Sequence, residues 1–487
     1  MKRTSLLIGL VVLAATAPAR GDLDADIRKV LADPFLARAE VGIHIAQLDS
    51  DTRRSRTLFR HNDQTPLIPA SNMKLVLTAA ALELLGPNFT FRTLLAQRGE
   101  DLVLIGDGDP TFGDAQVLKK AGWESTTVFK QWAAQLRRAG LTGCRDLIVD
   151  DSVFDEAFVH PAWPADQLLR PYCAQIAGMT FNNGCLDFYI QPVGTGQIVS
   201  YVTDPPTSYV SVTNTCVGGT VNAIVLDRSP RTPGHIILRG TAPAANQAPV
   251  SITIHDPALY AATVLAETLA AADITVGGQV RRDRTLRGGL PAEVAQGSAR
   301  VLAIHETPLG VVLTRMNKDS VNGYAESLLK RIGFAASGRS GSWENGAEAV
   351  GGFLKRLGAA ADEFVVDDGS GLSRQNRISA RLMLRLLESS FYGQSREQFL
   401  TMLAVGGEDG TLQDRFTGPL RGRVLAKTGF IARVSALSGY VKGRDDRWYA
   451  FSILMNDIAP GMNSRAKELQ EAIVRAIDAN SGPPRGR

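Results

Sequence analysis

Three short groups of polar residues stand in order along the 487-residue chain: Ser71-Asn72-Met73-Lys74, Ser320-Val321-Asn322 and Lys427-Thr428-Gly429. A serine hydroxyl is a poor nucleophile at neutral pH and needs an adjacent base. No histidine is placed to serve Ser71, so the base has to be Lys74 as a neutral amine. Three residues on, Lys74 shares a helix face with that hydroxyl. A lysine is neutral there only if burial and a nearby positive charge lower its pKa, and Lys427 is the candidate for the charge. Ser320 can then relay a proton to a leaving amine, and Asn322 can fix a substrate amide. Lys427 and Thr428 can grip a terminal carboxylate, with Gly429 completing that substrate-binding group.

Each group alone is weak. A second S-x-x-K, Ser327-Leu328-Leu329-Lys330, reads as ordinary mid-helix sequence. Context separates the two: Ser71 follows Pro69-Ala70 at the start of a helical pattern, where the helix N-terminal field favours negative charge on its oxygen. The plain alternatives are a helix cap for Ser71 and a solvated strand-end lysine for Lys427.

The elements that must position these residues follow from periodicity. Residues 41–48 and 57–60 read as a hairpin. A helix opening at Pro69-Ala70-Ser71 runs to about Leu85, stopped by Gly86-Pro87, and is apolar almost all round, which marks a buried central helix. From residue 93 to 301 the texture is short β-like runs with many Gly, Pro and Thr, interrupted by one good helix over 257–272. Helical patterns return at 308–317, 323–332, 346–357 and 379–391. Strands follow at 424–427, 434–441 and 448–455, then a last helix over 465–478. Two strands from one end of the chain and three from the other suggest one antiparallel sheet built from both ends.

The boundaries are therefore a leader at 1–19, a first catalytic part at 20–92, mostly β inserted domains at 93–301, a second catalytic part at 302–480 and a disordered tail at 481–487. The leader has Lys2 and Arg3, an apolar run over 6–15 and the small-x-small site Ala17-Pro18-Ala19, as secretory signal peptides do. The expected location is exported, in the periplasm or cell envelope, with no membrane span after cleavage. Lysine plus arginine exceed aspartate plus glutamate by 53 − 49 = 4, no footprint for nucleic acid. Hydrophobic residues at 44% exclude a disordered or low-complexity chain. Cys144, Cys173, Cys185 and Cys216 suggest disulfides in an exported protein, with three possible pairings. Nothing in their spacing, or among six scattered histidines, forms a metal site, and no cofactor is implied.

The three groups together match the S-x-x-K, S-D-N and K-T-G set of β-lactamases and penicillin-binding proteins, with Val321 in place of aspartate. Further segments resemble the low-molecular-mass class C penicillin-binding proteins, the D-alanyl-D-alanine carboxypeptidase/endopeptidases of peptidase family S13 (penicillin-binding protein 4 type). They are Gly106-Asp107-Gly108-Asp109-Pro110, Met316-Asn317-Lys318-Asp319-Ser320, Asp368-Gly369-Ser370-Gly371-Leu372-Ser373-Arg374, and Gly410-Thr411-Leu412 with Arg415-Phe416. The resemblance implies an α/β (α+β) fold, a β-lactamase/transpeptidase-like domain whose central antiparallel sheet is flanked by helices and interrupted by a large insertion. It implies peptidoglycan stem peptides as substrate, β-lactam antibiotics as inhibitors, and an oxyanion site of the Ser71 and Phe430 N–H groups. It also matches Asp166, after Trp163, and Arg374 to positions that read a diaminopimelate-type side chain. The plain alternatives are a surface turn residue and a structural ion pair.

Two rival readings remain at this point. A β-lactamase or esterase would share the acyl-enzyme chemistry, but 249 residues separate Ser71 from Ser320 and no E-x-x-L-N segment is present to activate a deacylating water. A non-catalytic peptidoglycan-binding or penicillin-sensing protein is disfavoured by the intact set of catalytic residues.

Overall fold

The computed structural model describes residues 22–482. The expected leader lies outside them, as do residues 483–487 of the expected tail. Ser481, which composition assigns to that tail, is buried: its hydroxyl donates to the Asp478 carbonyl at 2.7 Å and accepts from the Arg444 N–H at 2.8 Å. Among the described residues no helix is long and apolar enough to cross a membrane.

Strands from the two chain ends form one antiparallel six-stranded sheet. Its order is Arg54–His61, Glu40–Asp49, Trp448–Asn456, Val434–Lys442, Val424–Ile431 and Ala404–Val405. The two central C-terminal strands are buried at every position but one end residue each, because helices cover both faces. On one face lies the helix Asn463–Ala479, with Ala466, Leu469, Ile473 and Ile477 turned inward, beside the helix Leu23–Leu31. On the other, Ala380–Tyr392 packs against the sheet and Met73–Leu84 shares the largest apolar core with Leu309–Lys318, Asn322–Ser337 and Trp343–Arg356. Every residue from Met73 to Leu82 is buried, as a composition apolar almost all round requires, and Lys74 and Thr78 are buried with the rest.

That helix starts later than its sequence suggests. Ala70 has φ +46°, which no right-handed helix allows, so the helix cannot run back through it; Ala70–Asn72 form a short turn and the α-helix begins at Met73.

The chain leaves the body built on the six-stranded sheet along Thr90–Arg98 and returns along Ala299–Pro308, and these two strands pair antiparallel. They belong to a five-stranded mixed sheet completed by Asp101–Ile105, Leu147–Asp150 and Val280–Arg282, the last three mutually parallel. Two helices, Thr127–Arg138 and Pro257–Ala270, share its apolar core. The first is absent from the sequence reading. Its inward residues Val128, Phe129, Trp132, Ala133 and Leu136 have helical spacing, but Lys130, Gln131, Gln135 and Arg137 between them dilute the pattern.

The cysteines overturn the disulfide expectation: all four are free thiols. Cys173 belongs to the largest apolar core, Cys216 to that of the insertion, Cys185 is buried at the start of the strand Cys185–Gln191, and Cys144 lies on a short edge strand. Burial pushes the Cys144 thiol up to about 11 and the Cys173 thiol up to about 12. They behave as small apolar residues.

Candidate active site

The site is assembled where the Ala70–Asn72 turn meets the Val424–Ile431 strand and the junction between the helices Leu309–Lys318 and Asn322–Ser337. Lys74, in the first turn of its helix, is fully buried. Its Nζ lies 3.0 Å from Ser71 Oγ, 2.8 Å from Asn322 Oδ1 and 3.0 Å from the Ser370 carbonyl oxygen. Asn322 donates its amide N–H to the Tyr172 carbonyl at 3.0 Å, which fixes its oxygen toward Lys74 and ties the site to the insertion. Lys427, also fully buried, donates to Ser320 Oγ at 2.8 Å and to the Thr428 carbonyl at 2.9 Å. Thr428 Oγ1 bonds Thr411 Oγ1 at 2.9 Å.

Asn72 couples the Ser71 turn to the lysine strand. With its amide oriented to satisfy both ends, it donates to the Lys427 carbonyl at 2.9 Å and accepts from Ser438 Oγ at 2.8 Å. Two site positions hold strained backbone: Ala70, before the serine, and Ser320, at φ +60°. Left-handed non-glycine residues cost about 1–3 kcal/mol each and persist where surrounding packing fixes them.

Burial pushes the Lys74 amine down to about 8, opposed by the Glu326 and Asp368 carboxylates. Lys427, the positive charge expected from the sequence, repels Lys74 mutually: its own amine is held well below the usual lysine range by burial first and the Lys74 charge second, against Asp319.

A cleft of about 390 Å³ opens over these groups, bordered by Ser71, Ser320, Asn322, Tyr172, Gln167 and Phe430. Phe430 is 55% exposed at its rim. Thus Ser71, Lys74, Ser320, Asn322, Lys427, Thr428 and Phe430 come together, with Gly429 beneath them. Asp166 and Arg374 do not join the cluster. Asp166 is exposed on the 3-10 turn Ala165–Gln167, next to Gln167, which does border the cleft. Arg374 is exposed and donates to the Ala432 carbonyl at 2.8 Å, at the cleft's edge. The second S-x-x-K is structural: Lys330 donates to Asp155 Oδ1 at 2.7 Å and to the Ala157 carbonyl at 2.6 Å, with its ammonium 3.7 Å from the centre of the Trp343 ring.

The profile of the D-Ala-D-Ala carboxypeptidase 3 (S13) family matches residues 23–480. The chain belongs to that family. A D-alanyl-D-alanine carboxypeptidase from an Actinomadura species is 35% identical over 463 residues, covering 89% of this chain and 81% of the relative. One from Haemophilus influenzae is 25% identical and covers 88% of each chain. Among solved structures, penicillin binding protein 4 from Haemophilus influenzae matches with a TM-score of 0.75 at 22% identity, covering 94% of this chain and 99% of that one. A predatory peptidoglycan endopeptidase from Bdellovibrio bacteriovorus matches with a TM-score of 0.51 at 16% identity, covering 92% and 95%. These structural likenesses bear out the α+β, transpeptidase-like fold.

In this S13 chain several site residues escaped the sequence reading. Asn72 lies inside the S-x-x-K group itself. Tyr172 reaches the site from the distant 3-10 turn Pro171–Cys173 and carries no local signal, whereas Thr411 stands in the Gly410-Thr411-Leu412 segment without a role read for it. Glu326 did carry one: it stands four residues after Asn322, on the same helix face.

Proposed function

We propose that the chain is a serine D-Ala-D-Ala carboxypeptidase that also cleaves D,D-cross-links in peptidoglycan, working outside the cytoplasmic membrane through a Ser71 acyl-enzyme that penicillin traps. The observation that carries this reading is the set of partners around Lys74 Nζ. A neutral amine has two hydrogens and one lone pair. Asn322 Oδ1 and the Ser370 carbonyl are acceptors and use the two hydrogens. The lone pair is left for the third neighbour, the Ser71 hydroxyl at 3.0 Å.

The steps follow from that arrangement. Lys74 takes the Ser71 proton as Oγ attacks the carbonyl of the penultimate D-alanine. The oxyanion lies between the N–H groups of Ser71 and Phe430. Lys427 donates to Ser320 Oγ, so the hydroxyl's own hydrogen is free to pass to the leaving amine while Lys74 returns a proton to Ser320. The C–N bond breaks, the terminal D-alanine leaves, and water hydrolyses the ester with Lys74 again as base. A substrate carboxylate beside Lys427 and Thr428 draws the Lys427 amine back to ammonium, which couples recognition to charge.

Free D-alanine released from a stem pentapeptide ending in D-Ala-D-Ala tests the carboxypeptidase. Monomers released from a purified cross-linked dimer test the endopeptidase. Turnover of penicillin with neither product would favour a β-lactamase, and tight penicillin binding with no turnover of any of the three would favour a sensor.

A further inference from the structure

Two carboxylates lie behind Lys74, and the steps above use neither. Glu326 and Asp368 are both fully buried, and neither has a lysine or arginine ion-pair partner among the described residues. Each instead collects N–H donors. Glu326 accepts from the Trp343 indole at 2.8 Å, Gly369 N at 2.9 Å and Ser370 N at 2.7 Å. Asp368 accepts from the Trp163 indole at 3.0 Å, Gly371 N at 2.8 Å, Ser373 N at 2.6 Å and the Asn376 amide at 2.7 Å.

Every peptide N–H of the Gly369-Ser370-Gly371 turn is thereby held by one of the two carboxylates. The peptide unit between Ser370 and Gly371 matters most. Its N–H points to Asp368 and its C=O accepts from Lys74 Nζ, so the carboxylate polarises the carbonyl that holds the amine. The turn has no slack. A Cβ at residue 369 would lie 2.5 Å from the Ala325 carbonyl, next to Glu326, and one at residue 371 would lie 1.8 Å from the Ala70 carbonyl, next to Ser71. The turn therefore touches both the element that carries the nucleophile and the residue that activates it.

We propose that Glu326 and Asp368 are positioning residues, which act through the Gly369-Ser370-Gly371 turn to aim the Lys74 lone pair at Ser71. The inference rests on the general-base reading of Lys74. The pair also supplies the negative charge that opposes the burial of the Lys74 amine. Glu326 itself is raised to about 7 by burial, then by Asp368, against its three N–H partners. Other charged or titratable groups around this pair of sites are Lys427 on its strand, Lys330 on the Glu326 helix with its partner Asp155, Cys173 on the insertion, and His160, whose ring packs against both Trp163 and Trp343.

The test is the acylation rate by a fluorescent penicillin, followed across the neutral and alkaline range. Glu326→Gln removes the charge and turns an amide N–H against the turn's own donors. Acylation should fall by about 10- to 100-fold, the scale of a small misplacement at a reacting centre. The midpoint of its pH profile should move to lower pH, because a charge that holds the proton on Lys74 is gone. Glu326→Asp keeps the charge but not the reach, so the rate should fall with the midpoint at its wild-type position. Should Glu326→Gln fail to fold, Trp343→Phe removes one donor from Glu326 and should move the midpoint downward by less. A wild-type rate in Glu326→Gln, or an unmoved midpoint in Glu326→Gln or in Trp343→Phe, overturns the proposal. Lys74→Ala separates the two levels: normal acylation without Lys74 sinks the general-base reading, whereas an inert Lys74→Ala beside wild-type-like Glu326 variants sinks only the positioning claim.

Discussion

Gly429 packs so closely on Pro69 that a Cβ at residue 429 would lie 2.7 Å from the Pro69 carbonyl oxygen and 3.3 Å from Ala70 Cβ. The glycine after Lys427-Thr428 lets the strand edge reach the turn that carries Ser71. Gly429→Ala should push the two apart, since backbone carbonyl cannot yield as a flexible side chain does. Overpacking of this kind costs about 1–3 kcal/mol. We expect penicillin acylation to fall more steeply than thermal stability, and equal acylation rates in variant and wild type would contradict the packing argument.

The buried lysine has a signature in stability as well as in rate. Burial holds the Lys74 amine at about 8 in the folded chain, below the 10.5 of a free lysine side chain. Between those values the unfolded chain binds more protons, so the wild-type contribution of this residue to stability rises as pH increases through the window. Lys74→Met has no such titration. Its stability relative to wild type should therefore decline from neutral pH to about pH 10, measured by denaturant unfolding of both proteins. A constant difference would mean that Lys74 keeps an ordinary lysine pKa.

Asp166 offers a test of substrate choice. It is exposed beside Gln167, and Tyr172 donates its hydroxyl to Gln167 Oε1 at 3.2 Å on the wall shared with Asn322. A carboxylate there can meet a free amino group on the stem peptide, a charge-assisted hydrogen bond worth roughly 1.5–3 kcal/mol. Asp166→Ala should lower kcat/KM for diaminopimelate-bearing peptides by about 10- to 100-fold. Acylation by a simple penicillin, which lacks that amino group, should barely change. If both rates fall together, Asp166 supports the catalytic centre or the fold instead.

Much of the body built on the six-stranded sheet was legible because its signals are local. The segment Met73 to Leu82, apolar but for Lys74 and Thr78, reads as a buried helix, and the strands at both ends of the chain read as one sheet. The insertion was harder, since its parallel strands are only three to five residues long and its helix Thr127–Arg138 mixes five inward apolar residues with charged ones. The leading chemical groups were visible through residue type and order, but their supports were not. Ser370 contributes a carbonyl rather than its hydroxyl to Lys74, and a main-chain contact leaves no mark on residue identity. The free cysteines show the same limit: an even count says nothing about where four sulfurs point.

The central claim is that Ser71 is the acylated nucleophile, activated by Lys74. The most direct measurement is mass spectrometry of the protein after reaction with penicillin, intact and then as mapped peptides. The account predicts a single adduct on Ser71, no adduct in Ser71→Ala despite an unchanged fold by circular dichroism, and a normal adduct in Ser327→Ala. An adduct that persists in Ser71→Ala, or that maps to Ser327 or Ser320, would contradict it.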